Sequence, residues 1–247
     1  MKNDTQRKTL RIAYQFRFAD DSVKKFEICL DALTLELISD SQVTPPYWTK
    51  LSFHPCENCP LPPTTEYCPI AVNLARLIDE FRDSISYERT TVTVEVPERI
   101  YMKETMIQKA LSSIIGIYMP TSNCPIMDKL RPMVRFHLPF QSSAESLYRT
   151  VSAYLTAQFF LMRDGKKPDW KLHQLVEIYR EISFVNKGMW QRVSAASEKD
   201  ANTNAVVILH SIGDSVPYFI EHGLDEIEYL FSVFTEKKYT KTDEELQ

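Results

Sequence analysis

The sequence predicts an α+β fold: an N-terminal antiparallel β meander and a mixed middle segment, followed by a helical C-terminal half. Three observations carry this reading. Apolar residues alternate with period two over the first forty positions. From Pro69 onward the apolar spacing changes repeatedly to the three-to-four pattern of amphipathic helices. Between the two lies residues 43–68, a proline- and cysteine-rich stretch that fits neither period.

The elements follow in order. Leu10, Ile12, Tyr14, Phe16 and Phe18 alternate with Arg11, Ala13, Gln15 and Arg17, as in a half-buried strand. Asp20-Asp21-Ser22 is a turn. Phe26, Ile28 and Leu30 resume the alternation, and Leu33, Leu35 and Leu37 extend it. Cys29 falls on the opposite face and reads as an incidental thiol. Six prolines between Pro45 and Pro63 then block both helix and central strand. So long a loop needs something to hold it, and its aromatic residues (Tyr47, Trp48, Phe53, Tyr67) argue against disorder. A bound metal is the natural candidate.

Ile70, Leu74, Leu77, Ile78 and Phe81 predict a helix; Val92, Val94 and Val96 a strand; and Met106 to Tyr118 a second helix that stops before Pro120. Val134, Phe136 and Leu138 alternate with Met133, Arg135 and His137, which predicts extended chain over 131–138. Ser142 and Glu145 have capping-box spacing and open a helix to about residue 162. Further helices are expected over Trp170–Val193 and over 203–222, the latter containing Pro217 and stopping at Gly223. A short helix holds Ile227, Leu230, Phe231 and Phe234. The expected organisation is one compact domain: a mixed part over 1–140, a helical part over 141–234 packed on it, and a flexible tail over 235–247.

Composition narrows the function classes. The chain's 247 residues can bury a large core without a metal or disulfide staple. The net charge is −4 with both signs interspersed, so no footprint for nucleic acid is expected. The longest apolar stretch, Val151–Met162, is interrupted by Ser152, Thr156 and Gln158, and a spanning helix needs about 20 largely apolar residues. MKNDTQRKTL has no signal-peptide pattern. A soluble, cytoplasmic protein without membrane contact is the expectation. The five glycines are scattered, and no P-loop, dinucleotide fingerprint, H-E-x-x-H or G-x-S-x-G is present.

The motif with the most chemistry is a four-cysteine set. Cys56 and Cys59 form C-x-x-C, Cys68 follows in Cys68-Pro69, and Cys124 stands in Cys124-Pro125. In a reducing cytosol clustered cysteines read as metal ligands before disulfides. Four soft thiolates suit a four-iron iron–sulfur cluster or, alternatively, zinc. Only one of the two C-x-x-C knuckles usual for structural zinc is present. Cys68 is placed to N-cap the helix that Pro69 opens. If 131–138 is extended, Arg131, Arg135 and His137 point the same way and could neutralise the site or hold an anionic ligand beside it.

The segments His54–Leu74 and Thr121–Phe140 resemble those of a little-described group of bacterial proteins with such Cys-Pro steps. That resemblance covers about a fifth of the chain and implies no activity. The expected function is therefore a bacterial iron–sulfur protein with a sensing or regulatory role, since no acid–base or nucleophile set is evident. The alternatives are a metalloenzyme using Arg131, Arg135 and His137 on a small anionic substrate, or a zinc-stapled interaction module. The helical half would supply a homodimer or protein-partner surface.

Overall fold

A computed structural model describes residues 8–38 and 44–235. The expected tail over 235–247 lies outside the described residues, apart from Thr235. The fold is α+β as expected: a four-stranded antiparallel sheet in the order β2-β1-β3-β4 and a mostly helical second half. The strands are β1 (Thr9–Arg17), β2 (Val23–Asp31), β3 (Arg89–Val96) and β4 (Arg99–Met106). The period-two pattern sends Ile12, Tyr14, Phe16, Ile28, Val92 and Val94 to the covered face. The opposite face carries polar pairs such as Arg11–Glu27.

The helices are α1 (Pro69–Glu80), α2 (Ile107–Tyr118), α3 (Arg131–Val134), α4 (Ser143–Arg163), α5 (His173–Ala196), α6 (Ala201–Glu221), α7 (Asp225–Glu228) and α8 (Ser232–Thr235). The expected caps are present. Cys68 is the N-cap of α1 with Pro69 in its first turn, and Ser142 and Glu145 form a reciprocal capping box on α4. Gly223 follows α6 at φ 73°, a backbone that favours glycine. One apolar core joins the sheet to α1, α2 and parts of α5 and α6; a second joins α4 to the other ends of α5 and α6 and to α7. Helices α5 and α6 thus run through both cores.

Three expectations change. Leu33, Leu35 and Leu37 do not continue a strand: 32–34 is a turn, Leu35 has φ 57°, and only Leu37 bridges back to Leu30. Residues 131–134 are helical, not extended, because Pro132 takes a first-turn position. And β4 is a strand that the apolar pattern concealed. It is an edge strand whose covered-side residues Arg99, Lys103 and Thr105 are polar and whose Ile100 and Met102 face outward.

The order of the 44–68 loop comes from α5. Arg192, the largest fully buried side chain at 1% exposure, donates from Nη1 to the carbonyls of Trp48 (3.0 Å) and Lys50 (2.7 Å) and from Nη2 to that of Leu51 (3.0 Å). One turn earlier, Gly188 seats the loop: a β-carbon there would lie 2.8 Å from Cys56 Sγ and 3.2 Å from its Cα. Further along, Asn58 Nδ2 donates to Glu181 Oε2 (2.6 Å) and Lys187 pairs with Glu57 (2.7 Å). The link from α5 to α6 is stitched to the turn before β3: Asp200 accepts from the Ser86 N–H (2.9 Å), and the Glu198 and Lys199 N–H groups donate to the Arg82 carbonyl (3.1 and 2.9 Å).

Arg192→Met keeps most of the buried volume but takes the donor from the Trp48 and Leu51 carbonyls and leaves the Lys50 carbonyl only its bond from the Phe53 N–H. It is expected to cost about 3 kcal/mol or more in urea unfolding and to expose 44–68 to proteases. Gly188→Ala should also destabilise, although alanine is worth about 1 kcal/mol more than glycine in a free helix, because Cys56 must move. Faster reaction of Cys56 with a thiol reagent would report that movement.

Candidate functional site

The fold brings the four cysteines into one neighbourhood. Cys56 and Cys59 share a tight turn, with the Cys59 N–H donating to the Cys56 carbonyl at 3.1 Å. Cys68 and Cys124 are buried in the main core. Burial pushes the Cys56 thiol up to about 12, reinforced by the thiols of Cys68, Cys59 and Cys124 and opposed by Arg192. Burial raises Cys124 too, against the N–H groups of Met127 and Ile126 that point at its sulfur. Proximity is not ligation, however. Among the described residues no group of three or more His, Cys, Asp or Glu side chains is arranged to hold a metal ion. That overturns the expected metal-site function on Cys56, Cys59, Cys68 and Cys124, in its iron–sulfur, metalloenzyme and zinc forms alike. The physical reason lies in the clamp from α5, which supplies the loop order that a metal was expected to impose.

The expected cationic trio does not converge. Arg131 is bound to Asp128, to Asn123 Oδ1 (2.9 Å) and to the Pro120 carbonyl (3.3 Å). Arg135 pairs with Glu98 at 3.2 Å and lies over the Phe136 ring. His137 alone points inward. Its Nε2 is 2.5 Å from Tyr14 Oη, which is also 2.9 Å from Ser113 Oγ. Burial, with Arg149 nearby, pushes His137 down to about 3, so the ring is neutral at physiological pH.

His137 opens onto a cavity of about 550 Å³, a size usual for small-molecule sites. The cavity lies where α2, the start of α4, the middle of α5 and α6 meet the edge strand β4. Met119, Met127, Met133, Leu209 and Ile212 give it an apolar wall. The polar groups are of two kinds. Ser113, His137, Thr150 and Tyr179 are neutral; Thr150 and Tyr179 bond to each other at 2.9 Å, and burial raises Tyr179 to about 12. Lys103, Lys109 and Arg149 are cations, facing a single carboxylate, Glu145. Glu145 is engaged in the α4 capping box, accepting from the Ser142 N–H at 2.7 Å. The lining therefore carries a net charge of +2, three cations less one carboxylate.

Arg149 is the cation set deepest. It donates from Nη2 to the carbonyls of Met133 (2.9 Å) and Phe136 (3.0 Å) and from Nη1 to Gln141. Among the described residues no carboxylate lies within ion-pair distance of it. Sequence reasoning missed Arg149, Lys103 and Lys109. One signal was available for Arg149: it stands between Ser146-Leu147 and Thr150-Val151, inside the buried stripe of α4. Lys103 had no such signal, because β4 itself was not recognised.

The neutral His137 sets a pH dependence. Its folded value lies below the ordinary 6.5, so on acidification the unfolded chain takes up the proton first. The stability this contributes is full above 6.5 and is lost as pH falls toward 3. Urea unfolding should lose up to about 1.4 kcal/mol per pH unit through this window, and His137→Gln should flatten that slope.

Among the described residues no helix is long and apolar enough to cross a membrane. No curated protein and no solved structure matches the chain. A family model described as a domain of unknown function, DUF6901, matches residues 12–232, which takes in the sheet except the first three residues of β1, the clamped loop and the whole wall of the cavity. The chain belongs to that family.

Proposed function

We propose that the protein binds a small amphipathic organic anion, such as a carboxylate on an apolar body, in the cavity between its two cores. The observation that carries this is the charge contrast. A cavity lined at +2 sits in a chain of net charge −4, and its lining combines the cations with apolar side chains. Arg149 is held in place by carbonyls, not by a carboxylate, so its charge is left for a ligand. Lys103 and Lys109 extend the positive potential to the rim and would draw an anion in. The Met-rich wall adapts to an apolar body of varied shape. Neutral His137 and Tyr179 can orient a polar group without changing the charge of the site.

Calorimetric titration with decanoate and with decanol tests this. Decanoate should bind clearly more tightly than decanol. Arg149→Gln should weaken decanoate about tenfold or more, the worth of one charge-assisted hydrogen bond. Lys109→Gln, at the exposed rim, should weaken it less and reduce its salt dependence. Because His137 stays neutral, affinity should be flat from about pH 6 to about pH 8. Equal binding of decanol and decanoate, or decanoate binding untouched by both variants, would sink the proposal.

A further inference from the structure

One buried polar group of the cavity has no partner. Asn186 lies on the face of α5 that also turns Tyr179 and Ile182 to the cavity, and it is 3% exposed. Among the described residues no hydrogen bond engages its amide. Asn202, another buried asparagine, is served: its Nδ2 donates to the Ile78 carbonyl (2.9 Å) and to Ser197 Oγ (3.2 Å). Nor is the Asn186 amide sealed in by packing, as Asn58 Oδ1 and Asn202 Oδ1 are. The open space it borders is the cavity. An amide carries two donors and an acceptor, and leaving a buried one unmade costs stability.

The neighbours leave room over this amide. Gly213 faces it from α6: a β-carbon there would stand 3.4 Å from Asn186 Nδ2 and 4.0 Å from Tyr179 Cδ1. The amide is also far from the rim lysine of α2. Helices α2 and α6 start together at Ser86, whose carbonyl accepts from the Gln108 N–H (3.2 Å) and whose N–H donates to Asp200 (2.9 Å). Further on, Leu209 Cδ2 lies 3.7 Å from where a β-carbon on Gly116 would be, so the two helices run side by side in one direction. Lys109 is in the first turn of α2, and Gly213 lies one turn beyond Leu209. That separates them by about 15 Å along the helices. Asn186 therefore marks the end of the cavity away from Lys109.

We propose that the ligand is a hydroxy acid, an anion whose apolar body carries a hydroxyl bound by Asn186. This rests on the anion-binding proposal for the carboxylate and adds a second polar group to the ligand. Chemistry selects the hydroxyl. It both donates and accepts, so it pairs with the amide whichever way the amide is turned. A ketone would only accept. A second carboxylate would only accept and an ammonium would only donate, and either would bring a charge beside Ile182 and Gly213, where burial penalises it. Asn186 is then the residue that separates a hydroxy acid from a plain fatty acid of the same length.

Calorimetric titration of the full chain with decanoate, 3-hydroxydecanoate and 10-hydroxydecanoate tests this, with the hydroxyl near to and far from the carboxylate. At least one hydroxy acid should bind about tenfold more tightly than decanoate. Asn186→Leu, close to asparagine in size, should erase that advantage and leave decanoate binding little changed. Asn186→Ala, with less bulk, should do the same. Hydroxy acids no tighter than decanoate, an advantage that survives both substitutions, or an equal loss of decanoate and hydroxy acid in both variants would each overturn the assignment. A neutral pair, decanol and 1,10-decanediol, examines Asn186 without a carboxylate. The diol should bind more tightly, and Asn186→Leu should remove the difference. If decanoate binds no better than decanol while the diol keeps an advantage that depends on Asn186, the anion reading fails and the hydroxyl contact stands.

Discussion

The buried guanidinium of Arg192 is the constraint on which the two halves of the chain depend. Moving a cation out of water costs several kcal/mol, and here no carboxylate among the described residues pairs with it. The compensation is geometric. Three carbonyls from one short stretch of loop, those of Trp48, Lys50 and Leu51, converge on the planar fork. A lysine ammonium could not address all three from one fixed plane. Those carbonyls belong to a segment that makes little regular structure of its own, so its path is dictated by α5, about 140 residues further along the chain. Gly188 completes the fit by letting the Cys56 backbone approach the helix. The path of the 44–68 loop therefore depends on its contacts with the helical half.

The cavity follows from the same arrangement. Helices α5 and α6 pack against the sheet layer at one end and against α4 and α7 at the other. Where one core gives way to the other, the walls are set by elements from both, and the space between them stays open. Its surface combines methionines and leucines with Arg149 and two lysines. Burying Arg149 beside apolar side chains costs desolvation and lowers its own proton affinity, while its bonds to the Met133 and Phe136 carbonyls and to Gln141 tie 133–141 to α4.

Much of the fold was legible because local patterns and tertiary packing agree. Period-two apolar runs became β1, β2 and β3, and the Ser142–Glu145 spacing became a formed capping box. The pattern failed where burial did not drive the element. β4 is held by its ladder to β3 and by the turn at Pro97-Glu98, and its apolar Ile100 and Met102 face outward while Lys103 and Thr105 take the covered side. Residues 131–138 alternate in sequence, yet Pro132 starts a helix, and Met133, Val134, His137 and Leu138 line the cavity while Arg135 and Phe136 are exposed. The cysteines drew attention because thiols have a distinctive chemistry. The residue that holds their loop, Arg192, looked ordinary in sequence. Its position three residues after Met189 and next to Val193 put it on the buried stripe of α5, and a cation on such a stripe was the sign to follow.

Native-state hydrogen exchange on chelator-treated protein tests the clamp most directly. The amides of Leu51 and Cys68 donate within the loop, to the Glu66 and Thr49 carbonyls, and report its opening. If α5 holds the loop, these amides should open only with the helix, at the same free energy and with the same denaturant dependence as the amides of α5 around Arg192. Exchange of Leu51 and Cys68 at a much lower free energy, with α5 still protected, would show that the loop is held by something other than Arg192 and would contradict the account.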